Sequence, residues 1–413
     1  MTGVKQVSAA IIGGGPAGLA AAVQLYRRGI TDIVILEREK KPGGILRQCI
    51  HDGFGLTRFK ETLSGPEYAQ RFMDMVDDMG IPYITDTTVL EITPDKRIYA
   101  SSREGMIELQ AKAVILTMGC RERTRGAVSI PGERPAGVYT AGVAQAYINL
   151  QNKMVGREAV ILGSGDIGMI MARRLTLEGA HVQAVFEIQP YPSGLPRNIE
   201  QCLNDYNIPL YLSHTVTAIH GNERLTGVTI SRVDEHFKPI PGTEKEYSCD
   251  TLILSVGLIP ENELSLDAGV ALDGRTKGAV VDEYFQTNVP GIFAAGNVLH
   301  VHDLVDFVSM EAENLADSAA EYIQDGGLPD CPVEIKTDRN INHTVPQRIS
   351  GTRGFKLSMR VNRPMKDCRI VVRQDGVEIA AKKMKKAIPA EMIQMEIKPE
   401  QLKTSGNLEV CVE

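Results

Sequence analysis

Tryptophan is missing from the 413-residue chain altogether, and all aromatics together make up only 5% of it. Few flat side chains are therefore available to stack on nucleobases. A net charge of −7 also works against binding a phosphate backbone through bulk electrostatics, so a nucleic-acid partner is not expected. Seven cysteines (Cys49, Cys120, Cys202, Cys249, Cys331, Cys368 and Cys411) are scattered, with no C-x-x-C or C-x-x-x-x-C spacing. That spacing excludes an internal disulfide framework and a zinc or iron–sulfur cradle. No run approaches the ~18–20 apolar residues that span a bilayer. The first residues lack a basic segment leading into an apolar core, and a cytoplasmic location is expected. What is present is ordinary globular composition, 43% hydrophobic and 23% charged, with length for two or three domains of about 100–200 residues.

The chain also repeats itself. An apolar run, Ala9 to Ile12, enters Gly13-Gly14-Gly15-Pro16-Ala17-Gly18 and leaves as an alanine-rich helix that stops at Gly29. A second apolar run, Ile33 to Leu36, then ends on Glu37. The same unit returns as Ala159 to Leu162, Gly163-Ser164-Gly165-Asp166-Ile167-Gly168, a helix through Leu177 and a strand that ends on Glu187. Gly13, Gly15, Gly18 and Glu37 recur 150 positions on as Gly163, Gly165, Gly168 and Glu187, with the acid 24 positions after the first glycine both times. The first glycine permits a tight turn, the second a close approach to a pyrophosphate, and the third close helix–strand packing. The helix start then offers unpaired N–H groups to phosphates, and the acid accepts ribose hydroxyls. One G-x-G-x-x-G is often a chance loop. Two with equal spacing to an acid point to two dinucleotide folds.

Downstream of the first unit, the paired glycines of Pro42-Gly43-Gly44-Ile45-Leu46 would let the chain pass close to a flat ring system. Ala113 to Gly119 and Ile292 to Asn297 are further apolar strands that run into glycine. These segments resemble the FAD-binding domain of the pyridine-nucleotide–disulfide reductase superfamily. The resemblance implies an FAD site built from Gly13, Gly15, Pro16, Ala17, Gly18, Glu37, Arg38, Gly44, Ile45, Leu46, Val89, Met118, Gly119, Gly296, Asn297 and Val308. Asn297 stands where the family has an acid that holds the flavin ribityl chain. An amide keeps the hydrogen bond and loses the charge. In the second unit, Asp250 to Asn262 resembles the family's strand-to-glycine motif at the lip of the nicotinamide domain. The NAD site is expected from Gly163, Gly165, Asp166, Ile167, Gly168, Glu187 and Gly257. Glu187 would repel a 2′-phosphate and no arginine follows it directly, so NAD(H) is expected over NADP(H).

The expected architecture is α/β: two Rossmann-like dinucleotide-binding domains, the second inserted in the first, plus a small C-terminal all-β domain. Residues 1–125 and 276–330 form the FAD-binding domain, 126–275 the NAD(H)-binding domain, and 331–413 the β-rich domain. Within the last, Phe355 to Val361, Arg369 to Arg373 and Leu408 to Val412 read as strands, with a hairpin turn at Gln374-Asp375-Gly376-Val377. This domain is shorter than the reductases' dimerisation domain, so dimerisation in their manner is in doubt and a homo-oligomer stays open.

Where disulfide reductases place their two reactive cysteines, this chain has Leu46 and His51. Cys49 lies between them and reads either as a thiol activated by Arg47 and His51 or as a small buried residue. Arg47, Cys49 and His51 are the catalytic candidates. Further on, His300, His302 and Asp303 precede a helical pattern from Phe307 to Ile323. They suit hydrogen bonding near the flavin or capping of that helix. No third or fourth ligand can be identified beside the two histidines, so no metal is expected. Lys382 to Lys386 reads as solvated surface or a docking face. Taken whole, the chain resembles the NAD/FAD oxidoreductase subunits found with glycerol-3-phosphate-dehydrogenase-like flavoproteins, on the segments Gly43 to Gly55 and Gly296 to Asp306. That implies FAD and NAD(H) as cofactors and protein partners in a dehydrogenase complex. A stand-alone NADH oxidase or peroxidase, or a non-catalytic FAD-binding subunit, are the alternatives.

Overall fold

The computed structural model describes residues 4–413 and divides into two compact units: residues up to Cys120 together with Pro260–Glu413, and Arg121–Ile259 between them. The first unit is built on a seven-stranded sheet. Its parallel part runs in the order Tyr83–Ile84, Ile33–Leu36, Lys5–Ile12, Gly105–Leu116, with Ile292–Ala294 also beside Gly105–Leu116. Arg97–Ser102 and Thr88–Ile92 extend it antiparallel. The central strands are apolar on both faces because helices or loops cover both sides. On one face, the helices Pro16–Arg27 and Val305–Asp325 join a core that contains Leu19, Leu25, Phe72 and Leu315. On the other, Ile12, Leu36, Val114 and Ile292 pack with Val270 and Val281.

The glycine turn after Ile12 is fixed by geometry. Gly13 has φ +104°, and a Cβ there would sit 2.6 Å from the Thr117 carbonyl oxygen. A Cβ on Gly18 would fall on the Gly13 carbonyl oxygen, so helix and strand can approach only without side chains.

The second unit has the same core plan. Five parallel strands lie in the order Val138–Thr140, Thr251–Leu254, Glu158–Leu162, His181–Glu187, Leu210–Leu212. The helices Ala141–Gln151 and Asp166–Leu177 pack on one face, and a three-stranded antiparallel sheet, His214–His220 with Gly227–Arg232 and Lys245–Ser248, supplies core residues on the other.

Two larger sheets lie at the C-terminus. Five strands run in the order Arg348–Ile349, Val333–Thr337, Leu408–Val412, Met365–Gln374, Val377–Ala387, and three more, Ile341–Val345, Phe355–Val361 and Ile393–Ile397, form a second sheet around a shared apolar core. The expected hairpin is there: Gln374 pairs with Val377, and Asp375 and Gly376 both have positive φ, as a two-residue hairpin loop requires. Lys382, Lys383, Lys385 and Lys386 lie on Val377–Ala387, the last strand of its sheet, where their charges oppose pairing with another chain. These sheets are fastened to the rest of the first unit. Val281 and Gln347 exchange hydrogen bonds, the Ser350 hydroxyl donates to Glu283, and Val345 enters the core beside Ile12 and Leu36. The fold is mixed α/β, with two Rossmann-like units and added C-terminal sheets.

Candidate functional site: two dinucleotide turns

In the first unit the helix Pro16–Arg27 starts from Gly15 with no side-chain cap, which leaves its first N–H groups and dipole free for an anion. Glu37, buried at the end of its strand, accepts the Gly14 N–H at Oε2 (2.8 Å) and the Glu39 N–H at Oε1 (2.8 Å). Each oxygen keeps a place for a ribose hydroxyl. Gly43 donates its N–H to the Gly14 carbonyl (2.8 Å), and a Cβ on Gly44 would lie 3.0 Å from the Gly15 Cα, so the paired glycines run hard against the turn. Gly296, Ala17 and Val308 converge, since a Cβ on Gly296 would stand 3.0 Å from the Ala17 Cβ and 3.3 Å from Val308 Cγ1. Uncapped helix, side-chain-free turn and part-free acid together fit an FAD.

The other expected FAD residues fall in two groups. Met118 and Val89 pack against the core cluster that holds Ile12, while Gly119 has positive φ after the strand. Ile45 is exposed, whereas Leu46 is buried in the core. Arg38 is mostly exposed and reaches Glu261 at 3.9 Å.

Asn297 is held at both ends of its amide: Oδ1 accepts the His302 N–H (3.0 Å) and Nδ2 donates toward Cys120 Sγ (3.7 Å). Beneath it lies a buried cluster. Glu311 accepts the Gly296 N–H at Oε1 (2.8 Å), and the Nε2 atoms of His300 and His302 lie 2.7 and 3.3 Å from its Oε2. Burial would raise the Glu311 carboxyl, but the two imidazoles outweigh it and hold it well below the usual range. The third group that sequence reading lacked beside the histidines is thus Glu311, and Asp303 turns away to pair with Arg360 (3.2 Å). Imidazoles that bind metals give their other nitrogen to an acceptor. Both Nδ1 atoms here are buried without one. The cluster therefore reads as a hydrogen-bonded support for Gly296.

The expected capping of the following helix is corrected. Val305–Asp325 begins at Leu304 with no side-chain cap, and neither His302 nor Asp303 supplies one. Asp306, in its first turn, instead accepts the N–H groups of Gly55 (3.1 Å) and Arg58 (2.8 Å).

The catalytic candidates are separated by environment. Cys49 is buried, its thiol faces the Ile45 carbonyl (3.4 Å), and burial pushes its pKa up to about 12. A thiolate is disfavoured there. Arg47 donates to the Lys41 carbonyl (3.2 Å), and the His51 ring packs against Phe54 with centroids 5.0 Å apart.

In the second unit, Gly163 repeats the positive φ of Gly13, and the helix Asp166–Leu177 starts uncapped at Gly165. Asp166 Oδ1 accepts the Leu195 N–H (2.8 Å) and the Asn198 amide (2.6 Å), while Ile167 is partly buried against the core. Gly257, with positive φ, accepts the Arg123 N–H at its carbonyl (2.9 Å). Glu187 is more heavily engaged than Glu37: beside the N–H groups of Ser164 (2.9 Å) and Gln189 (2.9 Å), it accepts the hydroxyls of Ser164 (2.6 Å) and Ser193 (2.8 Å). Ser193 and Glu311 lie outside every motif the sequence offers, while Ser164 and Asp306 fall within motifs that assign them no role.

Residues 7–320 match the family model of the pyridine nucleotide-disulphide oxidoreductases. The chain belongs to this family. It is 26% identical over 363 residues to the glutamate synthase [NADPH] small chain of Mycobacterium tuberculosis H37Rv, covering 79% of this chain and 68% of that one. It is also 26% identical over 314 residues to the hydrogen cyanide synthase subunit HcnB of Pseudomonas aeruginosa, covering 70% and 65%. Among solved structures, thioredoxin reductase of T. acidophilum superposes with a TM-score of 0.64 at 26% identity, over 77% of this chain and 98% of that one. Members of the family bind FAD and use NAD(P)H, and this oxidoreductase is an FAD-dependent enzyme of that kind. Among the described residues, no helix is long and apolar enough to cross a membrane.

Proposed function

We propose that this chain passes a hydride between NAD(H) and FAD and exchanges the electrons with a protein partner, as a subunit of a glycerol-3-phosphate-dehydrogenase-like complex. The observation that carries the reading is the Gly43 to Gly55 segment. It lies beside a turn fit for FAD, yet holds Leu46 and His51 where a disulfide reductase keeps its cysteines, with the intervening Cys49 buried and protonated. A thiol relay needs two thiols that can meet. Bound FAD supplies the two-electron chemistry. The chain's own residues position it: Glu37 takes the ribose, the Pro16–Arg27 helix start takes the pyrophosphate, and Gly296 keeps the crossing strand close. Two relatives, a small chain and a subunit by name, support a partner as the other end of the transfer. NAD(H) is the preferred nucleotide because Glu187 faces the ribose, which sets this chain apart from the NADPH named in the glutamate synthase relative.

An anaerobic titration of the purified yellow protein with NADH tests this. Bleaching is expected, with slow return of colour in air until a co-purifying partner is added. No bleaching would refute hydride transfer, and rapid return over many turnovers would favour an oxidase. Glu187→Arg is expected to shift the preference toward NADPH, and an unchanged ratio of bleaching rates would refute the ribose assignment.

A further inference from the structure

The two dinucleotide turns are the same construction with two residues changed. At the flavin turn, the acid's Oε2 accepts the N–H of Gly14, and its Oε1 that of Glu39. At the nicotinamide turn the equivalent donors, 150 positions on, are the N–H groups of Ser164 and Gln189, at 2.9 Å each. The paired-glycine position repeats too: Gly43 stands six residues after Glu37, and Ser193 six after Glu187. So Gly14 and Gly43 of the flavin copy are Ser164 and Ser193 of the nicotinamide copy. Both hydroxyls turn onto Glu187 Oε2, at 2.6 and 2.8 Å, while the Ser193 N–H donates to the Ser164 hydroxyl (2.9 Å).

A carboxylate has about four acceptor positions, two on each oxygen. Glu37 has one taken on each, leaving two for the adenosine ribose. Glu187 has Oε2 filled by three donors and Oε1 by one, leaving one. We infer that Ser164 and Ser193 act as specificity-setting residues that withhold part of Glu187 from the ribose of NAD(H). That restraint makes the second nucleotide an exchanging co-substrate, where the flavin turn retains its nucleotide. The inference rests on the NAD(H) assignment above. Neither serine touches the reacting atoms, so the effect falls on nucleotide affinity, and it is largest for a nucleotide with both ribose hydroxyls free.

The test is calorimetric titration of the FAD-loaded protein with NAD+ and, separately, with NADP+, whose 2′ position carries no hydroxyl. Ser193→Ala removes one donor while Ser164 still anchors the loop, and NAD+ is expected to bind a few-fold tighter. The double variant Ser164→Ala/Ser193→Ala restores the flavin-copy pattern, and about a tenfold gain is expected, the worth of one hydrogen bond to a charged group. NADP+, which keeps only the 3′-hydroxyl, gains less than NAD+, and flavin content stays unchanged; the double variant, which also strands the Ser193 N–H, melts lower. Unchanged or weaker NAD+ binding in Ser193→Ala at full flavin content would overturn the inference alone, as would equal gains for both nucleotides. A wild-type protein that binds neither nucleotide and is not bleached by NADH would overturn it together with the NAD(H) reading.

Discussion

Single buried groups carry much of this molecule's chemistry, and they also make it sensitive to pH. Asp282, in the loop before Ile292, is pushed up to about 6 by burial and by the neighbouring Glu283 charge, although its Oδ1 accepts the N–H groups of Tyr284 (2.9 Å) and Gln286 (3.0 Å). The folded carboxyl holds its proton more tightly than the unfolded one. Its contribution to stability is therefore most favourable below about pH 4 and is lost as pH rises through about 6. Asp282→Asn keeps an acceptor for both N–H groups and removes the charge. It is expected to stabilise the protein by about 2 kcal/mol at pH 7.5, with the gain gone near pH 3.5. Denaturant unfolding at several pH values reads this directly, and an equal gain at every pH would contradict it.

Within elements, what sequence could show depended on whether the partners were local. The end of the helix Asp166–Leu177 and both bounds of the strands Phe355–Val361 and Leu408–Val412 are as expected because apolar period and glycine stops lie within a few residues of each other. The lysine-bearing strand Val377–Ala387 was hidden because its solvent-facing charges mask the apolar alternation. The two glycine turns were legible. The groups that brace the surrounding loops were not: Glu311, Ser193 and Asp306 reach their partners only through the phase of a helix or the path of a loop. Asp306 is an instructive case. At the start of Val305–Asp325 it ties down the Gly55 to Arg58 turn, where Arg58 forks onto Glu313 and lies over the Phe59 ring (5.2 Å). Asp306→Ala strands two N–H groups in a buried place and is expected to cost about 2–4 kcal/mol, and Asp306→Asn about half as much. Urea unfolding compares them, and a loss below about 1 kcal/mol for alanine would show that water replaces the carboxylate.

At the scale of the whole chain, the C-terminal sheets are part of the first unit's structure, and this separates the protein from the thioredoxin reductase it superposes on, which aligns with only 77% of it. Val345 completes the core around Ile12 and Leu36, the two strands that deliver the glycine turn and Glu37. Arg360 holds the segment that follows Asn297, through the Val301 carbonyl (3.1 Å) and Asp303. His343 stacks edge-on against His300, one of the two imidazoles on Glu311. Three links from one small domain thus converge on the two strands and the turn that would enclose FAD. Shortening the chain after Asp330 would open the apolar face under Val345, release the residues 300–303 and leave Glu311 accessible to water. The expected result is a protein that purifies with less than half the flavin of the full chain, measured as the ratio of absorbance at about 450 nm to that at 280 nm, and that exposes apolar surface to a dye. Arg360→Ala, which spares Val345, should lose flavin on dilution without aggregating. If the shortened chain kept its full flavin and its melting temperature, the C-terminal sheets would be an appendage, and a surface for the partner would be the better account of why they are there.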